Sequence, residues 1–375
     1  MIRKLGILGG GQLGRMLIQE ATDWNLDIHI LDGNPNAPCC HTATVFEVGS
    51  ITDYETVYQF GKTVDVLTIE IENVNVDALE QLEKEGLKVF PQPRVIRTIQ
   101  DKRLQKKFYQ EHNIPTSEYI LVENKEEVKK HKDFLPAFNK LGTEGYDGKG
   151  VVKIANENDL EKAFDKPGLL EKLVDIEKEL SVIVARNENG DLTAFPPVEL
   201  VYNPKYNLVD YLLSPAQISD EVAKKATEVA KKVITDFDMV GILAVELFYT
   251  KSGEILVNEV APRPHNSGHH SIEANVTSQF QQHLRSVLNF PLGDTAVRTP
   301  AAMINILGAE GFSGLAHYRN LDQLLSETGV YVHLYGKKMT RPSRKMGHLT
   351  IIDNDVNKLV ERVEALKDVL QCESL

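Results

Sequence analysis

The chain contains few cysteines: Cys39, Cys40 and Cys372 are the only three among its 375 residues. Two of them are adjacent and the third lies near the C-terminus. This spacing indicates neither a disulfide framework nor a structural zinc site. Few thiols without a pairing pattern are typical of proteins in the reducing cytosol. We therefore expect a cytoplasmic protein.

Long apolar runs are also missing. The run at residues 5–8 ends at three consecutive glycines, and the run at 240–249 is interrupted by Glu246. Both are too short for a membrane span, and the first lacks the features of an export signal. Positive charge is in deficit, because 42 Lys and Arg against 54 Asp and Glu give a net charge of −12. This balance disfavours nucleic acid and anionic membranes as partners.

Enough apolar residues remain for extensive cores, since 42% of the chain is hydrophobic and 26% is charged. The length suggests two or three domains. In the first ninety residues, short apolar runs alternate with amphipathic stretches, which predicts a parallel sheet covered by helices. The predicted strands are 4–8, 27–31, 64–69 and 87–90, and the predicted helices are 12–22, 54–61 and 76–85.

Two proline-containing segments, 91–93 and 291–300, indicate domain boundaries. We therefore predict domains at 1–93, 94–295 and 296–375, with a small α+β lobe at about 115–190 inside the second. The pattern in the lobe predicts strands at 135–140, 151–154, 168–173 and 179–185, and helices at 124–131 and 158–164. Elsewhere it predicts helices at 94–111, 223–237, 271–288 and 355–369, a hairpin of 241–249 with 254–260, and strands at 301–306, 329–335 and 347–353.

The first glycine loop matches the pattern G-x-G-x-x-G. Gly9, Gly11 and Gly14 follow the first strand and open a helix, and Asp32 ends the second strand. Such a loop can hold a phosphate at a helix N-terminus, with the acidic residue on a ribose. A dinucleotide, another phosphate ligand and a purely structural turn remain open as interpretations.

A second glycine loop spans residues 142–150. Four glycines and Thr143 stand among nine residues, with Lys140 before the loop and Lys149 inside it. Backbone N–H groups in such a flap can surround phosphates. The loop lacks the G-K-[ST] end of a Walker A motif. A surface hairpin without a ligand is the alternative.

Glu246 and Glu259 stand on the two strands of the predicted hairpin. A tight turn at 251–252 would place residue 246 opposite 257, so the two glutamates would share one face as diagonal neighbours. An unpaired carboxylate in so apolar a strand is costly, and paired carboxylates suit Mg²⁺ that bridges nucleotide phosphates. A solvated strand face or a buried ion pair is the alternative.

Three polar segments complete the candidate site. Arg263, His265, Asn266 and Ser267 precede two further histidines in one loop, and five cations occupy residues 337–345. These groups suit an anionic substrate, although a histidine metal site or an exposed turn would also fit. Glu70 ends the strand 64–69, at the edge where parallel sheets bind ligands.

Five motifs together resemble one enzyme family: GILGGGQLGRM (6–16), TIEIENV (68–74), GTEGYDGKGV (142–151), NEVAPRPHNSGHHSIE (258–273) and RPSRKMGHL (341–349). They occur in the order typical of the N5-carboxyaminoimidazole ribonucleotide synthases. The resemblance implies a mixed α/β and α+β ATP-grasp fold, with a Rossmann-like pre-ATP-grasp domain before it and a small C-terminal domain after it. It implies a cytoplasmic homodimer that uses ATP, Mg²⁺ and bicarbonate to carboxylate 5-aminoimidazole ribonucleotide in purine biosynthesis.

The same resemblance assigns roles to individual positions. The metal ligands are Glu246 and Glu259. The nucleotide contacts are Lys102, Lys140, Gly145, Tyr146, Asp147, Gly148, Lys149, Gly150, Val151, Glu171, Lys172, Leu173, Val174, Glu179, Asn258 and Glu259. The catalytic residues are Tyr146, Lys149, Arg263, His265 and Lys337, and the ribonucleotide contacts are Gln12, Leu13, Glu70, Asn266, Ser267 and Arg344.

Four positions depart from the family pattern. Lys102 stands beside Arg103 where arginine is frequent, Lys149 replaces another frequent arginine, Tyr202 replaces a histidine, and Ser343 replaces a glycine. Two other activities remain open as alternatives: a formate-dependent glycinamide ribonucleotide transformylase, which the chain resembles more weakly, and an NAD-dependent oxidoreductase, which the first glycine loop would suit.

Overall fold

The N-terminal part of the chain forms a parallel sheet between two layers of helices. The computed structural model describes residues 3–143, 145, 150–203 and 208–375. The sheet has the strand order β3-β2-β1-β4-β5. Its elements are β1 (Lys4–Leu8), α1 (Gln12–Asp23), β2 (Asp27–Asp32), β3 (Val45–Val48), α2 (Tyr54–Gly61), β4 (Val66–Ile69), α3 (Val76–Lys84) and β5 (Lys88–Val89). The βαβα prediction is confirmed, and only the short β3 was not predicted.

The predicted helix at 94–111 is two helices, α4 (Pro93–Gln100) and α5 (Lys102–Glu111). Asp101 separates them because its backbone is extended and its carboxylate accepts a hydrogen bond from the Arg103 N–H. Aspartate is a strong N-cap residue, so it begins a new helix here. The break places Lys102 at the start of α5, with Lys106 about one turn later.

The second part contains a small antiparallel sheet with the order β6-β9-β7-β8. The predicted helix at 158–164 is a 3₁₀ helix at Glu157–Lys162, and β6 was not predicted. The predicted lobe at about 115–190 also includes β10, but β10 belongs to the larger sheet. The elements are β6 (Tyr119–Val122), α6 (Lys125–Lys130), β7 (Ala137–Leu141), β8 (Val151–Ile154), β9 (Gly168–Lys172) and β10 (Ile176–Arg186).

A nine-stranded sheet runs through the second and third parts of the chain. Its order is β15-β14-β10-β12-β13-β16-β20-β18, and β11 pairs with β10. Helix α7 packs against β10, β14 and β15 through a core that includes Val233, Leu180 and Leu243. The elements of this part of the chain are β11 (Leu192–Ala194), β12 (Val198–Asn203), β13 (Leu208–Ser214), α7 (Asp220–Asp236), β14 (Gly241–Thr250) and β15 (Ile255–Ala261).

The predicted helix at 271–288 is also interrupted. The chain forms α8 (Ser271–Ala274), leaves the helix at Asn275, and begins α9 (Gln279–Val287) after the N-cap Ser278. The Ser278 side chain accepts a hydrogen bond from the Gln281 N–H, which stabilises the new start. Helix α9 then packs against α1, so it joins the first sheet to the second.

The C-terminal part continues the large sheet, because β16 pairs with β13 and β20 pairs with both β16 and β18. A three-stranded sheet, β19-β17-β21, lies beside it. No helix in the described ranges is long and apolar enough to cross a membrane. The elements are β16 (Ala301–Leu307), β17 (Gly314–Arg319), α10 (Leu321–Leu325), β18 (Val330–Leu334), β19 (Met339–Thr340), β20 (Lys345–Ile352), α11 (Val356–Leu366) and β21 (Gln371–Ser374).

Candidate functional site

Glu246 on β14 and Glu259 on β15 stand directly opposite each other. The predicted diagonal register was wrong, because the strands meet with a β-bulge: Leu247 pairs with Val257, and Asn258 is the extra residue. A bulge re-aims neighbouring side chains. Here it brings Asn258 and Glu259 to the same group of lysines, since Lys140 Nζ lies 3.4 Å from Asn258 Oδ1 and Lys102 Nζ lies 3.0 Å from Glu259 Oε2.

The two carboxylates have different environments. Burial, together with the charge of Glu259, raises the pKa of Glu246 to about 8. Lys102 instead lowers the pKa of Glu259 through its charge and its hydrogen bond. One carboxylate is therefore balanced by a protein cation, and the other is not.

Lys140 is held in place by a buried ion network. Glu171, which is 3% exposed, pairs with Lys140 at 2.8 Å and with Lys106 at 3.2 Å. Burial would raise the pKa of Glu171, but the two lysines lower it further than burial raises it. Burial lowers the pKa of Lys106 to about 8. Glu171 therefore supports Lys140, and no motif in the sequence singles out Lys106 as a member of the network.

The pair of glutamates fits a divalent cation only if other ligands complete the shell. In the part of the chain that the structure describes, no group of three or more His, Cys, Asp or Glu side chains could hold a metal. Mg²⁺ normally keeps several waters and is bound by one or two carboxylates plus substrate phosphates. A divalent ion would supply the positive charge that an ionised Glu246 lacks, with Glu259 as a second ligand and a nucleotide supplying the remaining oxygens.

The choice between Lys102 and Arg103 is clear in the geometry. The Arg103 guanidinium binds the Asp101 carboxylate through Nη2 at 2.7 Å and Nε at 3.0 Å. Lys102 instead directs its ammonium group to Glu259. Burial lowers the pKa of Lys102, but Glu259 raises it through its charge and its hydrogen bond. Lys102 is thus the cation that faces the carboxylate pair.

The proposed nucleotide stretch 171–174 leads from β9 to β10. The Lys172 ammonium group binds the Phe134 carbonyl at 3.0 Å, Leu173 is exposed and Val174 is partly buried. Farther along β10, Glu179 accepts a hydrogen bond of 2.7 Å from the Tyr202 hydroxyl, and burial raises the pKa of Glu179. Tyr202, which replaces the histidine of the family pattern, therefore fixes Glu179.

The first glycine loop encloses a protein carboxylate. The N–H groups of Gly11 and Gly14 donate to Glu70 Oε1 and Oε2, both at 2.6 Å. Gly10 N–H donates to Asp32 at 2.7 Å. Three N–H donors of the loop, those of Gly10, Gly11 and Gly14, are thus engaged by protein carboxylates, which counts against a dinucleotide phosphate there and favours the structural interpretation of the loop.

The glycines are needed for this arrangement. A Cβ on Gly9 would lie 2.5 Å from Glu70 Cγ, and one on Gly11 would lie 2.3 Å from Glu70 Oε1. Burial raises the pKa of Glu70, while the two N–H donors lower it. Beside the loop, Gln12 is partly exposed and Leu13 is buried in the core against α9, so the Leu13 side chain faces the protein interior.

The loop after β15 joins the carboxylate pair to the rest of the site. His265 Nε2 lies 3.7 Å from Glu246 Oε1, and His265 Nδ1 lies 3.0 Å from Ser267 Oγ. Burial, with the charges of Arg263 and Lys345, lowers the pKa of His265 to about 3. The imidazole is therefore neutral near pH 7. It can donate or accept a hydrogen bond but carries no charge.

Three side chains fix this loop to other parts of the fold. Arg263 Nε forms an ion pair with Glu72 at 3.0 Å, and Ser267 Oγ lies 2.8 Å from Ser181 Oγ on β10. Asn266 and Asn305 exchange two amide hydrogen bonds, of 2.8 and 3.0 Å. The predicted residues thus come together where the three parts of the chain meet.

The basic run at 337–345 approaches the same place. Lys337 Nζ donates to the Lys345 carbonyl at 2.7 Å, and Arg344 Nη1 donates to the Met339 carbonyl at 2.6 Å. The charge of Lys345 opposes the rise in the pKa of Glu246 and helps to lower the pKa of His265, so Lys345 lies near both groups although no role was assigned to it. Ser343 has a φ of 61°, a conformation that favours glycine.

The second glycine loop is described at its two ends. Gly145 and Gly150 approach each other, and the Gly150 carbonyl accepts a hydrogen bond of 2.9 Å from Leu141 N–H before β8 begins at Val151. The Gly142 carbonyl accepts a hydrogen bond from the Lys102 N–H at 2.8 Å, so the loop begins beside the backbone of Lys102. Four assigned residues lie outside the described ranges: Tyr146, Asp147, Gly148 and Lys149.

Comparison with known proteins agrees with this geometry. Residues 2–100 match the ribonucleotide synthetase preATP-grasp domain, residues 107–280 the ATP-grasp domain, and residues 301–362 the phosphoribosylaminoimidazole carboxylase C-terminal domain. The N5-carboxyaminoimidazole ribonucleotide synthase of Bacillus subtilis is 35% identical over 366 residues, covering 96% of this chain and 94% of that protein. The chain belongs to this family.

Solved structures of the family extend the likeness to the whole fold. The N5-carboxyaminoimidazole ribonucleotide synthetase of Thermotoga maritima is 42% identical, has a TM-score of 0.92 and covers 100% of both chains. A synthase of Aspergillus clavatus in complex with ADP and 5-aminoimidazole ribonucleotide is 33% identical, has a TM-score of 0.89 and covers 98% of each chain. The predicted ATP-grasp fold with flanking N- and C-terminal domains is therefore confirmed.

Some relatives of the family are longer proteins. The chloroplastic phosphoribosylaminoimidazole carboxylase of Vigna aconitifolia is 40% identical over 373 residues, which cover 96% of this chain but 66% of that protein. The chain therefore spans about two thirds of the length of this relative. Activities that depend on the remaining third are not implied for this chain.

Proposed function

We propose that this protein carboxylates 5-aminoimidazole ribonucleotide, using ATP and bicarbonate, to give N5-carboxyaminoimidazole ribonucleotide in purine biosynthesis. One observation carries the proposal: the bulged pair Glu246 and Glu259 meets Lys102, Lys140 and His265 in one cleft. The family supports it, because a relative binds ADP together with this ribonucleotide. ATP is the nucleotide we assign to the cleft, since another relative was crystallised with ATP.

The proposed reaction begins with bicarbonate, which is a poor electrophile. A bicarbonate oxygen attacks the γ-phosphorus of ATP, the bond from that phosphorus to the β–γ bridging oxygen breaks, and ADP leaves. The resulting carboxyphosphate releases phosphate and carbon dioxide. The exocyclic amine of the ribonucleotide then attacks the carbon dioxide and loses a proton, which gives the carbamate. Such transfers depend mainly on positioning and on charge neutralisation.

The side chains of the cleft supply those two contributions. Lys102 and Lys140 neutralise phosphate charge. Glu179, which Tyr202 holds in place, accepts hydrogen bonds from the ribose hydroxyl groups. Glu246 and Glu259 would hold Mg²⁺ between them and the nucleotide. When bound, that ion supplies positive charge at the phosphate oxygens. The neutral His265 offers a hydrogen bond on the bicarbonate side, next to Glu246.

The ribonucleotide would lie between the first and third parts of the chain. Gln12, the backbone at Leu13 and Glu70 would border its imidazole side, with Arg263, Asn266 and Ser267 beside them. Lys337 and Arg344 would contact its phosphate. The family resemblance assigns contacts with bicarbonate to Tyr146 and Lys149, and contacts with the ATP phosphates to Gly145 through Val151. We also infer a cytoplasmic homodimer from the family resemblance, and sedimentation analysis would test its oligomeric state.

A phosphate-release assay tests the function. Phosphate should appear only when ATP, bicarbonate and 5-aminoimidazole ribonucleotide are all present, and omission of each in turn identifies the required substrates. Release driven by formate and glycinamide ribonucleotide would favour the transformylase instead. Tight NADH binding without ATP binding would favour the oxidoreductase and contradict the proposal.

A further inference from the structure

Gln279 is a buried amide that no step of the proposed reaction uses. It is the first residue of α9 and is fully inaccessible to solvent. Its backbone N–H donates to Ser271 Oγ at 2.8 Å, and Ser271 Oγ donates to the Gly268 carbonyl at 2.5 Å. Its backbone is therefore anchored from α8, independently of its side chain.

The Gln279 side chain is paired with the main chain of His265. Gln279 Oε1 accepts from His265 N–H at 2.9 Å, and Gln279 Nε2 donates to the His265 carbonyl at 2.8 Å. The same Nε2 lies 2.9 Å from His269 Nδ1. Both amide protons and the amide oxygen are thus engaged, and only one orientation of the amide satisfies all three contacts. His269 must then accept at Nδ1 and carry its own proton on Nε2.

The loop between the two histidines wraps closely around this amide. A Cβ on Gly268 would lie 2.5 Å from Gln279 Oε1 and 2.3 Å from Ile183 Cδ1. The loop therefore has no room to shift between Gln279 and β10. The amide and the loop determine each other's position.

The contacts between Gln279 and the loop affect the cleft through the His265 ring. Its backbone is held by Gln279, and its Nδ1 by Ser267, which in turn contacts Ser181 on β10. Because the backbone and Nδ1 of His265 are both held, its Nε2 remains directed towards Glu246 Oε1, which lies 3.7 Å away. A shift of about 1 Å in such a group can lower a rate about a hundredfold.

We propose that Gln279 is a positioning residue that holds the His265 imidazole at the bicarbonate side of the cleft. The inference rests on the proposed function. Gln279 itself contacts neither substrate nor metal. It acts through two hydrogen bonds to the main chain of His265 and one to His269.

A matched pair of substitutions tests the role. Gln279→Met keeps the length of the side chain and removes its three hydrogen bonds. Gln282→Met is the control, because Gln282 lies on the same helix, is equally buried and binds the Gly293 N–H at 3.0 Å. We expect Gln279→Met to lower kcat by about tenfold to a hundredfold, with the KM for ATP within about twofold of wild type. Gln282→Met should melt at a similarly lowered temperature yet keep its kcat.

Gln279→Glu provides a second measurement, the pH dependence of activity relative to wild type. This dependence should not appear if Gln279 has a purely structural role. The introduced carboxylate keeps the acceptor for His265 N–H but lacks donors, whereas its protonated form can donate to the His265 carbonyl. In the wild-type protein, burial lowers the pKa values of its titratable neighbours His265 and His269. Because burial raises the pKa of a carboxyl group, the introduced side chain should regain a donor as the pH falls, so activity relative to wild type should rise from pH 8 to pH 6.

The results separate the two ideas. A wild-type protein without bicarbonate- and ribonucleotide-dependent ADP release would reject the proposed function. An active wild type in which Gln279→Met and Gln282→Met lose kcat equally, or in which the Gln279→Glu ratio is flat with pH, would reject only the positioning role. Selective loss in Gln279→Met, with recovery of Gln279→Glu at low pH, is the supporting result.

Discussion

Gly11→Ala is predicted to destabilise the N-terminal part of the chain. The new Cβ would lie 2.3 Å from Glu70 Oε1, far inside van der Waals contact, so the carboxylate must move. Movement breaks one or both of its 2.6 Å hydrogen bonds to Gly11 and Gly14. A hydrogen bond to a charged group contributes about 1.5–3 kcal/mol. After an offset of about 0.4–1 kcal/mol from the less flexible unfolded chain, the net loss should be about 0.5–2.6 kcal/mol if one bond breaks and about 2–5.6 kcal/mol if both break.

Urea unfolding can measure this loss locally. Trp24 is the only tryptophan in the sequence, and it caps the C-terminus of α1, the helix that the glycine loop opens. Its fluorescence therefore reports on the part of the chain that carries the substitution, which is useful because a chain of several domains need not unfold in one step. The transition midpoint should move to lower urea in Gly11→Ala.

Two further variants make the test decisive. Gly33→Ala is the matched control, because a Cβ at Gly33 would have no neighbour closer than 3.8 Å, and we expect a gain of about 0.4–1 kcal/mol. Gly11→Ala should cost little in a Glu70→Ala background, because the obstructing carboxylate is then absent. If Gly11→Ala unfolds at the same urea concentration as Gly33→Ala, the steric argument for the loop is wrong.

Three other substitutions probe the site. Glu259→Gln should lower bicarbonate-dependent ADP release about a hundredfold, since it removes one of the two carboxylates proposed to hold Mg²⁺ at the phosphates, while Glu254→Gln at the exposed end of the same hairpin should not; equal rates would refute the metal assignment. Arg344→Ala should raise the KM for the ribonucleotide about tenfold or more and leave the KM for ATP unchanged, and equal increases would contradict a phosphate contact. Ser343→Gly should raise thermal stability by about 0.5–1 kcal/mol, because serine at a φ of 61° is strained; a lower melting temperature would contradict this.

Local patterns in the sequence predicted most of the N-terminal sheet and the hairpin of β14 and β15. They failed where one residue changed the geometry. Asp101 capped a new helix inside a continuous charged stretch, and Asn258 entered β15 as a bulge. Apolar periodicity predicts neither the new helix nor the bulge, because both side chains are polar and the apolar pattern around them is unbroken.

The candidate site shows the same limit. Glu246, Glu259 and His265 were recognisable from their motifs and come together as expected. Lys106 was not, since its burial depends on Glu171, which lies 65 residues away. The Glu70 interaction was also invisible, because a glycine loop that encloses a carboxylate has the same spacing as one that encloses a phosphate.

The pairing of β13 with β16 has a consequence for any shortened form of the protein. Leu212, Leu213 and Ser214 bond to residues of β16, so the C-terminal segment completes the sheet of the preceding part. In a chain ending at residue 300, β13 would become an edge strand, and its backbone groups that pair with β16 would be exposed. An open strand of this kind recruits other strands, so such a fragment should self-associate rather than remain an independent nucleotide-binding unit.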